Sequence, residues 1–362
     1  MPALVFTVTN ELSFDQRMQR ICNALASAGY SVTLVGRTIK NNPPLTNCNF
    51  HQKRIDLFAK KGPLFYIEYN IRLFFYLLFQ PADLICAIDL DTILPCYFAS
   101  RLKGTKRVYD AHEYFTEQKE IVSRPSIYKI WMAIEKFSVP KFKDGYTVNN
   151  WIAAAFEKRY GVQYQTIRNL PVKYPLESVP KTDKFILYQG AVNEGRCFET
   201  LIPAMKNVDC KLVIYGNGNF LTQSLSIIKR NLLTNKVSIE PAIPPAELRK
   251  ITPTAYIGLT LFDQAGLNQY HSLANRFFDY IMAGIPQLCV DYPEYRAIND
   301  VYEVAYLIPN TESETIAAAL NKLLDDNVLY QRLQLNCQKA RETLHWNHEQ
   351  LGLIDFYKNL FI

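Results

Sequence analysis

The sequence predicts an α/β chain built from two doubly wound domains that face each other. Short β-branched or apolar runs alternate with helical patterns along the whole chain, which is the mark of parallel βαβ units. At 362 residues the chain exceeds what one hydrophobic core usually serves. The alternation breaks once, in TIRNLPVKYPLESVPKTD (166–183), which has three prolines and no period. The expected division is therefore a first domain at 1–170, a linker at 171–183 and a second domain at 184–345. An apolar helix at 346–362 is expected to pack back on the first domain.

In the first half the strands are expected at LVFTV (4–8), SVTLVG (31–36), DLICAI (83–88), KRVYD (106–110) and DGYTVN (144–149). In the second half they are expected at KFILYQ (184–189), KLVIYG (211–216), KVSIE (236–240), YIGLTL (256–261), QLCV (287–290) and VAYLI (304–308). The helix after the first strand, 13–29, shows how firm the pattern is. Ser13 and Gln16 fit a capping box, Met18, Ile21, Cys22 and Leu25 recur at helical spacing, and Gly29 can close the helix.

The segment PLFYIEYNIRLFFYLLF (63–79) is too short and too polar to span a bilayer, being interrupted by Glu68, Asn70 and Arg72. Glu68 and Arg72 can share a face, and Lys53, Arg54, Lys60 and Lys61 stand upstream. Two readings stay open. The segment is a helix lying on an anionic membrane surface, or a helix packed under a loop of the first domain.

Composition narrows the function. Hydrophobic residues at 49% and charged residues at 20% describe a folded globular chain. A net charge of +6 suits an anionic ligand or a membrane surface and is too weak to argue for nucleic acid. The eight cysteines never stand at C-x-x-C spacing, which argues against a zinc knuckle or redox motif and for buried thiols in a reducing compartment. MPALVFTVTNEL has no basic n-region and no cleavage site, so a cytoplasmic location is expected.

Ligands of doubly wound folds sit at the carboxyl ends of the strands, and a cleft between two such domains is the expected site. There the second domain carries Gly190, with Arg196 ahead of a helix, and then Gly216-Asn217-Gly218. Glycine turns and a cation at a helix N-terminus suit an anion. In SLANRFFDYIMAGIPQ (272–287), the N–H groups of Ser272, Leu273 and Ala274 precede a helix that opens with Asn275 and Arg276. Arg276 can neutralise a diphosphate, and Asp279 one turn on can accept from two adjacent ribose hydroxyls. The apolar side of the same helix is core, and Gly284 and Pro286 end it.

In the first domain, VYDAHEYFTE (108–117) places Asp110, His112 and Glu113 directly after a strand, which reads as catalytic. IDLDT (88–92) suggests a D-x-D metal motif but reads better as caps, Asp89 and Asp91, of the next helix. No other cluster has metal spacing, and no G-x-S-x-G or Walker motif is present.

Five stretches in order, TNELSFDQRMQR, AIDLDT, YDAHEYFTE, YQGAVNEGR and GLNQYHSLANRFFDYIMAGIPQ, resemble glycosyltransferase family 4, the retaining enzymes of GT-B fold. The resemblance covers nearly the whole chain and looks closest to a bacterial surface-polysaccharide subgroup, as in Bacteroidetes. It implies two Rossmann-like domains, the first binding the acceptor and the second a nucleotide-diphosphate sugar, most simply a UDP- or GDP-sugar. It implies hexosyl transfer with retention, no metal and no other cofactor. Arg196 matches the family's lysine, Asp279 its second acid at the ribose, and His112 its first-domain histidine near the sugar. The family's first acid falls on His271 here, and its arginine after the first glycine falls on Ala191. His271 or the Ser272–Ala274 backbone is then the expected sugar contact, and Arg276 the replacement cation. Asn10, Asp15 and Arg17, with Glu113, are expected to border the acceptor. That acceptor is expected to be a glycan, polyprenyl-linked at the inner membrane face if 53–79 touches lipid, which makes the enzyme peripheral there. The rivals are a nucleotide-sugar 2-epimerase of the same fold and an inactive scaffold subunit of a polysaccharide assembly complex. A periplasmic binding protein also has two α/β lobes, but it would need a signal peptide, and MPALVFTVTNEL is expected to be a first strand instead.

Overall fold

The computed structural model describes residues 1–13, 15–39, 44–45, 47–176 and 183–362. The chain divides into two compact units: Met1–Asn169 with Glu349–Ile362, and Leu170–His348. The division thus falls at 169/170, and the final fourteen residues belong to the first unit. Of the expected linker, 171–176 belongs to the second unit and 177–182 lies outside the described residues.

The first unit holds a parallel sheet of β1 (Ala3–Thr7), β2 (Ser31–Arg37), β3 (His51–Ile55), β4 (Leu84–Ile88), β5 (Lys106–Ala111), β6 (Asp144–Thr147) and β7 (Gln165–Thr166). Its order is β3-β2-β1-β4-β5-β6-β7. The chain winds outward in one direction from β1 and in the other from β4, so the switch point lies between these two strands. Val5 of β1 is level with Thr33 of β2 and Ile85 of β4, and all three strands are largely buried. The sequence pattern misses β3 and β7. HQKRI is polar because β3 is an edge strand, and two-residue β7 is too short to carry a period.

The second unit has β8 (Phe185–Gln189), β9 (Lys211–Tyr215), β10 (Val237–Glu240), β11 (Ile257–Thr260), β12 (Gln287–Val290) and β13 (Ala305–Ile308). The order β10-β9-β8-β11-β12-β13 is again all parallel, with the switch point between β8 and β11. Every strand expected here is present. Both sheets carry helices whose apolar residues pack with the strands; the second unit has a large cluster and a smaller one around Leu187, Tyr280 and Ile285. All eight cysteines are free, and all but Cys48 are buried.

Two local expectations change. The helix Gln16–Ser27 is capped by Asp15, whose Oδ1 accepts the Met18 N–H at 3.0 Å. Ser13 instead turns to Glu11, donating its N–H at 2.8 Å, so no capping box forms. The helix Pro63–Phe79 packs a stripe of Phe65, Tyr69, Leu73 and Leu77 into the core, and Glu68 pairs with Arg72 at 2.8 Å. Its other stripe, including Leu64, Ile67, Ile71, Phe75 and Phe79, is exposed. The helix is therefore a core helix with a second, uncovered apolar face. Among the described residues no helix is long and apolar enough to cross a membrane.

Candidate active site

The helix Asn275–Met282 positions the second unit's polar groups. Phe277, Phe278, Tyr280, Ile281 and Met282 are buried, each contributing on the order of 1.5–3 kcal/mol when fully removed from water. Tyr280 packs on Gly258 of β11, where a Cβ would stand 2.5 Å from the ring. Its hydroxyl donates to the Leu187 carbonyl of β8 at 3.0 Å and accepts the Gln189 N–H at 3.3 Å. Gly284 at φ +67° closes the helix, with the Ile285 N–H donating back to the Tyr280 carbonyl at 3.1 Å. The helix N-terminus is thereby seated at the carboxyl ends of β8 and β11.

From that seat Arg276 reaches inward. Its guanidinium lies 4.4 Å from the Tyr188 ring centroid and 5.0 Å from that of Phe262. It is only 8% exposed, has no acidic partner among the described residues, and leaves Nη1 buried without a hydrogen bond. Burial opposes its charge, and the neighbouring phenol oxygens of Tyr188 and Tyr280 outweigh that, so the cation stays protonated. A buried guanidinium with an open donor is an anion site in waiting. Arg196 stacks on the same Phe262 ring at 4.3 Å. The structure thus brings Arg196 and Arg276 together across one aromatic ring.

The floor is backbone. Gly190, at φ +127°, faces Arg276, whose Nη1 is 3.8 Å from where a Cβ would be. At Gly216 a Cβ would stand 1.9 Å from the Gly190 carbonyl oxygen, so the turns after β8 and β9 touch backbone to backbone. The Val192 N–H donates to the Asn217 carbonyl at 3.0 Å and laces the turns together. Asp279, half-buried, accepts from Gln189 Nε2 at 3.1 Å, and Gln189 Oε1 accepts the Thr252 hydroxyl at 2.8 Å. Gln189, Tyr188 and Phe262 are site residues that sequence reasoning missed. Their only signal is their place at the carboxyl ends of two strands: Tyr188 and Gln189 close β8, and Phe262 follows β11.

The backbone donors expected from Ser272–Ala274 are a correction. The Ser272 N–H donates to the Gln269 carbonyl at 3.2 Å, and the Ala274 N–H donates to the Tyr295 hydroxyl at 3.0 Å. Internal partners therefore consume both. Leu273 and Ala274 pack against the core, and Asn275 is the exposed first residue of the helix. His271 ends the short helix Leu267–Tyr270, half-buried against the Tyr270 ring at 4.9 Å, and burial lowers its pKa.

In the first unit the carboxyl ends of β1, β4 and β5 gather Thr9, Asp89, Asp91, His112 and Glu113. Asp89 and Asp91 do not cap. Asp89 sits at φ +54° and makes no capping bond; its carboxylate accepts the His112 N–H at 3.2 Å, and His112 Nδ1 lies 3.2 Å from its Oδ2. Asp91 Oδ2 accepts the Thr9 hydroxyl. Burial, then Glu113 and Asp91, push the Asp89 carboxyl well above its usual range. Burial pushes Asp91 up to about 6 despite the Thr9 bond. A non-glycine residue at positive φ beside crowded acids is strain held at a functional edge. Glu113 accepts from Gln118.

Arg17 is a second correction. It is 5% exposed, and its Nη2 pairs with Asp110 Oδ1 at 2.8 Å, tying the helix Gln16–Ser27 to β5. It is a structural cation, not an acceptor contact. Asn10 is exposed and donates to Asp15 Oδ2 at 3.1 Å, so both remain at the edge of the loop after β1. Among the described residues no group of three or more His, Cys, Asp or Glu side chains is placed to hold a metal ion.

Comparisons with known proteins bear on the fold. The family model described as Glycosyl transferases group 1 matches residues 176–340. No curated protein sequence matches the chain. Among solved structures, the sucrose-phosphate synthase of Thermosynechococcus elongatus superposes with a TM-score of 0.79 at 15% identity, covering 100% of this chain and 99% of that one. HepE of Anabaena, solved with UDP and glucose, gives 0.76 at 10% identity over 99% of this chain and 100% of its own. WaaG, a glycosyltransferase involved in lipopolysaccharide biosynthesis, gives 0.72 at 16% identity over 97% and 98%. The fold is GT-B, and residues 176–340 match the glycosyltransferase group 1 model, which together support a glycosyltransferase.

Proposed function

We propose that the protein is a retaining, metal-independent hexosyltransferase of family 4 that moves sugar from a nucleotide-diphosphate donor to a glycan acceptor. The observation that carries this reading is the Arg196–Phe262–Arg276 arrangement, with Arg276 buried and its Nη1 open. Two guanidinia stabilise the charge that develops on a departing diphosphate, electrostatic assistance that needs no metal. Asp279, held by Gln189, takes the ribose hydroxyls. Gly190 and Gly216 let the donor approach backbone, and His271 borders the hexose. UDP is the favoured nucleotide, because HepE carries UDP and glucose in its solved complex.

In the first unit, His112, oriented by Asp89, is the residue proposed to act on the reacting sugar. Asn10, Asp15 and Glu113 border the acceptor. Retention proceeds by same-face attack, the leaving phosphate taking the acceptor hydroxyl's proton. Work at the cytoplasmic membrane face, in surface-polysaccharide assembly of a bacterium of the Bacteroidetes kind, suits the exposed apolar stripe of the helix Pro63–Phe79.

The test is thermal shift against UDP, GDP, ADP, CMP and their sugars, with and without EDTA. At about a hundred times the dissociation constant the correct ligand adds roughly 2.7 kcal/mol of stability. One nucleotide family should raise Tm regardless of EDTA; no shift with any of them rejects the reading. The raised Asp89 and Asp91 carboxyls favour one second reading, a 2-epimerase using them as acid and base. An epimerase consumes its nucleotide sugar with no acceptor present, and a transferase waits for one.

A further inference from the structure

Two buried glutamines grip the helix Asn275–Met282 from the strands beside it. Gln287 opens β12 and is fully buried. Its Nε2 donates to the Phe277 carbonyl at 3.0 Å, and its Oε1 accepts the Thr260 hydroxyl at 2.8 Å. Gln189 closes β8 and is 3% exposed. Its Nε2 donates to Asp279 Oδ2 at 3.1 Å, and its Oε1 accepts the Thr252 hydroxyl at 2.8 Å. The two threonine–glutamine pairs differ only at the far end. Gln287 binds main chain, which seats the helix. Gln189 binds a half-buried carboxylate, which water hydrates without help from the fold. Folding alone therefore accounts for the first pair and not for the second.

The order of protons in the second pair follows from its chemistry. An ionised carboxylate only accepts, so the Gln189 amide turns its nitrogen to Asp279 and its oxygen to Thr252. Thr252, 2% exposed, follows the helix Pro245–Ile251 and has one hydroxyl proton. Two acceptors stand 2.8 Å from it, Gln189 Oε1 and the Leu248 carbonyl. The proton given to Gln189 keeps the amide from turning its oxygen to the carboxylate. The Gln189 backbone is fixed as well: its N–H donates to the Tyr280 hydroxyl at 3.3 Å, and β8 pairs with β9 and β11 on its two sides. A carboxylate has lone pairs for about four hydrogen bonds, so one from Gln189 leaves capacity for a diol. Holding the group before the ligand arrives spares the cost of ordering it on binding.

We propose that Thr252 and Gln189 are positioning residues that aim Asp279 at the paired hydroxyls of a nucleotide's ribose, and so set a preference for ribonucleotides over nucleotides lacking that diol. The proposal rests on the donor-site reading, in which Asp279 is the ribose contact. Thr252 and Gln189 act through the carboxylate and touch no ligand themselves.

The experiment titrates the full chain by calorimetry with UDP and with 2′,3′-dideoxy-UDP, which offers Asp279 no hydroxyl, and with the matching pairs for GDP, ADP and CMP. The unaltered chain should bind one ribonucleotide roughly tenfold or more tighter than its dideoxy partner. Gln189→Met keeps the side chain's length and leaves the Thr252 hydroxyl its Leu248 acceptor, so the variant should fold. It should lose most of the preference by weakening the ribonucleotide alone. Thr252→Val should also lower the preference, and Thr252→Ser should restore it. Gln287→Met is the comparison for a slackened helix: it should lower Tm and keep the preference. A preference unchanged in Gln189→Met overturns the proposal, as does an equal loss in Gln287→Met. If Gln189→Met does not fold, an unchanged preference in Thr252→Val overturns it. Equal binding of a ribonucleotide and its dideoxy partner by the unaltered chain rejects the positioning role while the donor site stands. Binding of no nucleotide at all rejects the donor-site reading, and the positioning role with it.

Discussion

Arg276 carries opposite consequences for stability and for binding. Arg276 is buried without an acidic partner among the described residues, and its charge is upheld only by the phenol oxygens and rings around it, a pairing that a well-packed apolar side chain can replace at little cost. Arg276→Met keeps the volume and removes the charge. The expected outcome is a Tm unchanged or raised, with nucleotide-sugar affinity lowered roughly tenfold to a hundredfold, the equivalent of about 1.5–3 kcal/mol for a hydrogen-bonded charge. A large fall in Tm with binding retained would assign Arg276 to structure. Asp91 gives a pH test. Its carboxyl rises from 3.8 to about 6 on folding, so the native state holds more protons than the unfolded state across that window. Stability therefore falls as pH rises from about 3.8 to 6. Asp91→Asn should flatten that part of the difference between variant and parent, measured by urea unfolding across the window; an unchanged slope rejects the shift. At this scale the sequence reveals cations and acids but not their neighbours. Asp89 and Asp91 read as caps because two acids before a helix look alike in one dimension, and only the pairing of β1 with β4 brings Thr9 to Asp91. Ser272 and Ala274 read as donors because Gln269 and Tyr295 are invisible as their partners.

Elements were more legible than residues because burial on both faces writes a parallel strand as a continuous apolar run. Edge strand β3 escaped for the converse reason. Glycine marks the places where elements touch, and two substitutions separate its roles. Gly216→Ala drives a Cβ into the Gly190 carbonyl at 1.9 Å, which requires the turns after β8 and β9 to part. The expected cost is about 1–3 kcal/mol, with loss of nucleotide binding even in the folded fraction, read by denaturant unfolding and thermal shift together. Gly352→Ala, within the helix Trp346–Asn359, meets only Ile167 Cδ1 at 3.7 Å. It should stabilise by roughly 0.5–1 kcal/mol through helix propensity and leave binding untouched. A destabilised Gly352→Ala would mean that the last helix is packed more tightly there than its contact distance allows.

For the molecule as a whole, the two sheets repeat one topology with different chemistry at their switch points. The edge of β8 and β11 carries cations and glycines; that of β1, β4 and β5 carries acids and a histidine. Two doubly wound halves and their division near 170 were legible from periodicity and a proline-rich break, whereas the opposition of charge between the two edges emerges only once the strand order is known. That opposition predicts a separation of functions. On the proposed reading the second unit binds the donor and His112 of the first acts on the reacting sugar, so Arg276→Met should sharply reduce the donor-induced thermal shift. Asp89→Asn, which suits the positive φ that asparagine tolerates, should preserve the shift and lower kcat for transfer. Stopped-flow donor binding and steady-state transfer measured on the same two variants decide the matter. If Asp89→Asn weakens donor binding as much as Arg276→Met does, the acids take part in holding the donor and the division of labour fails. If it leaves both binding and kcat unchanged, the strained Asp89 backbone and its contact with His112 have no part in the chemistry, and the first unit's contribution lies elsewhere along the same sheet edge.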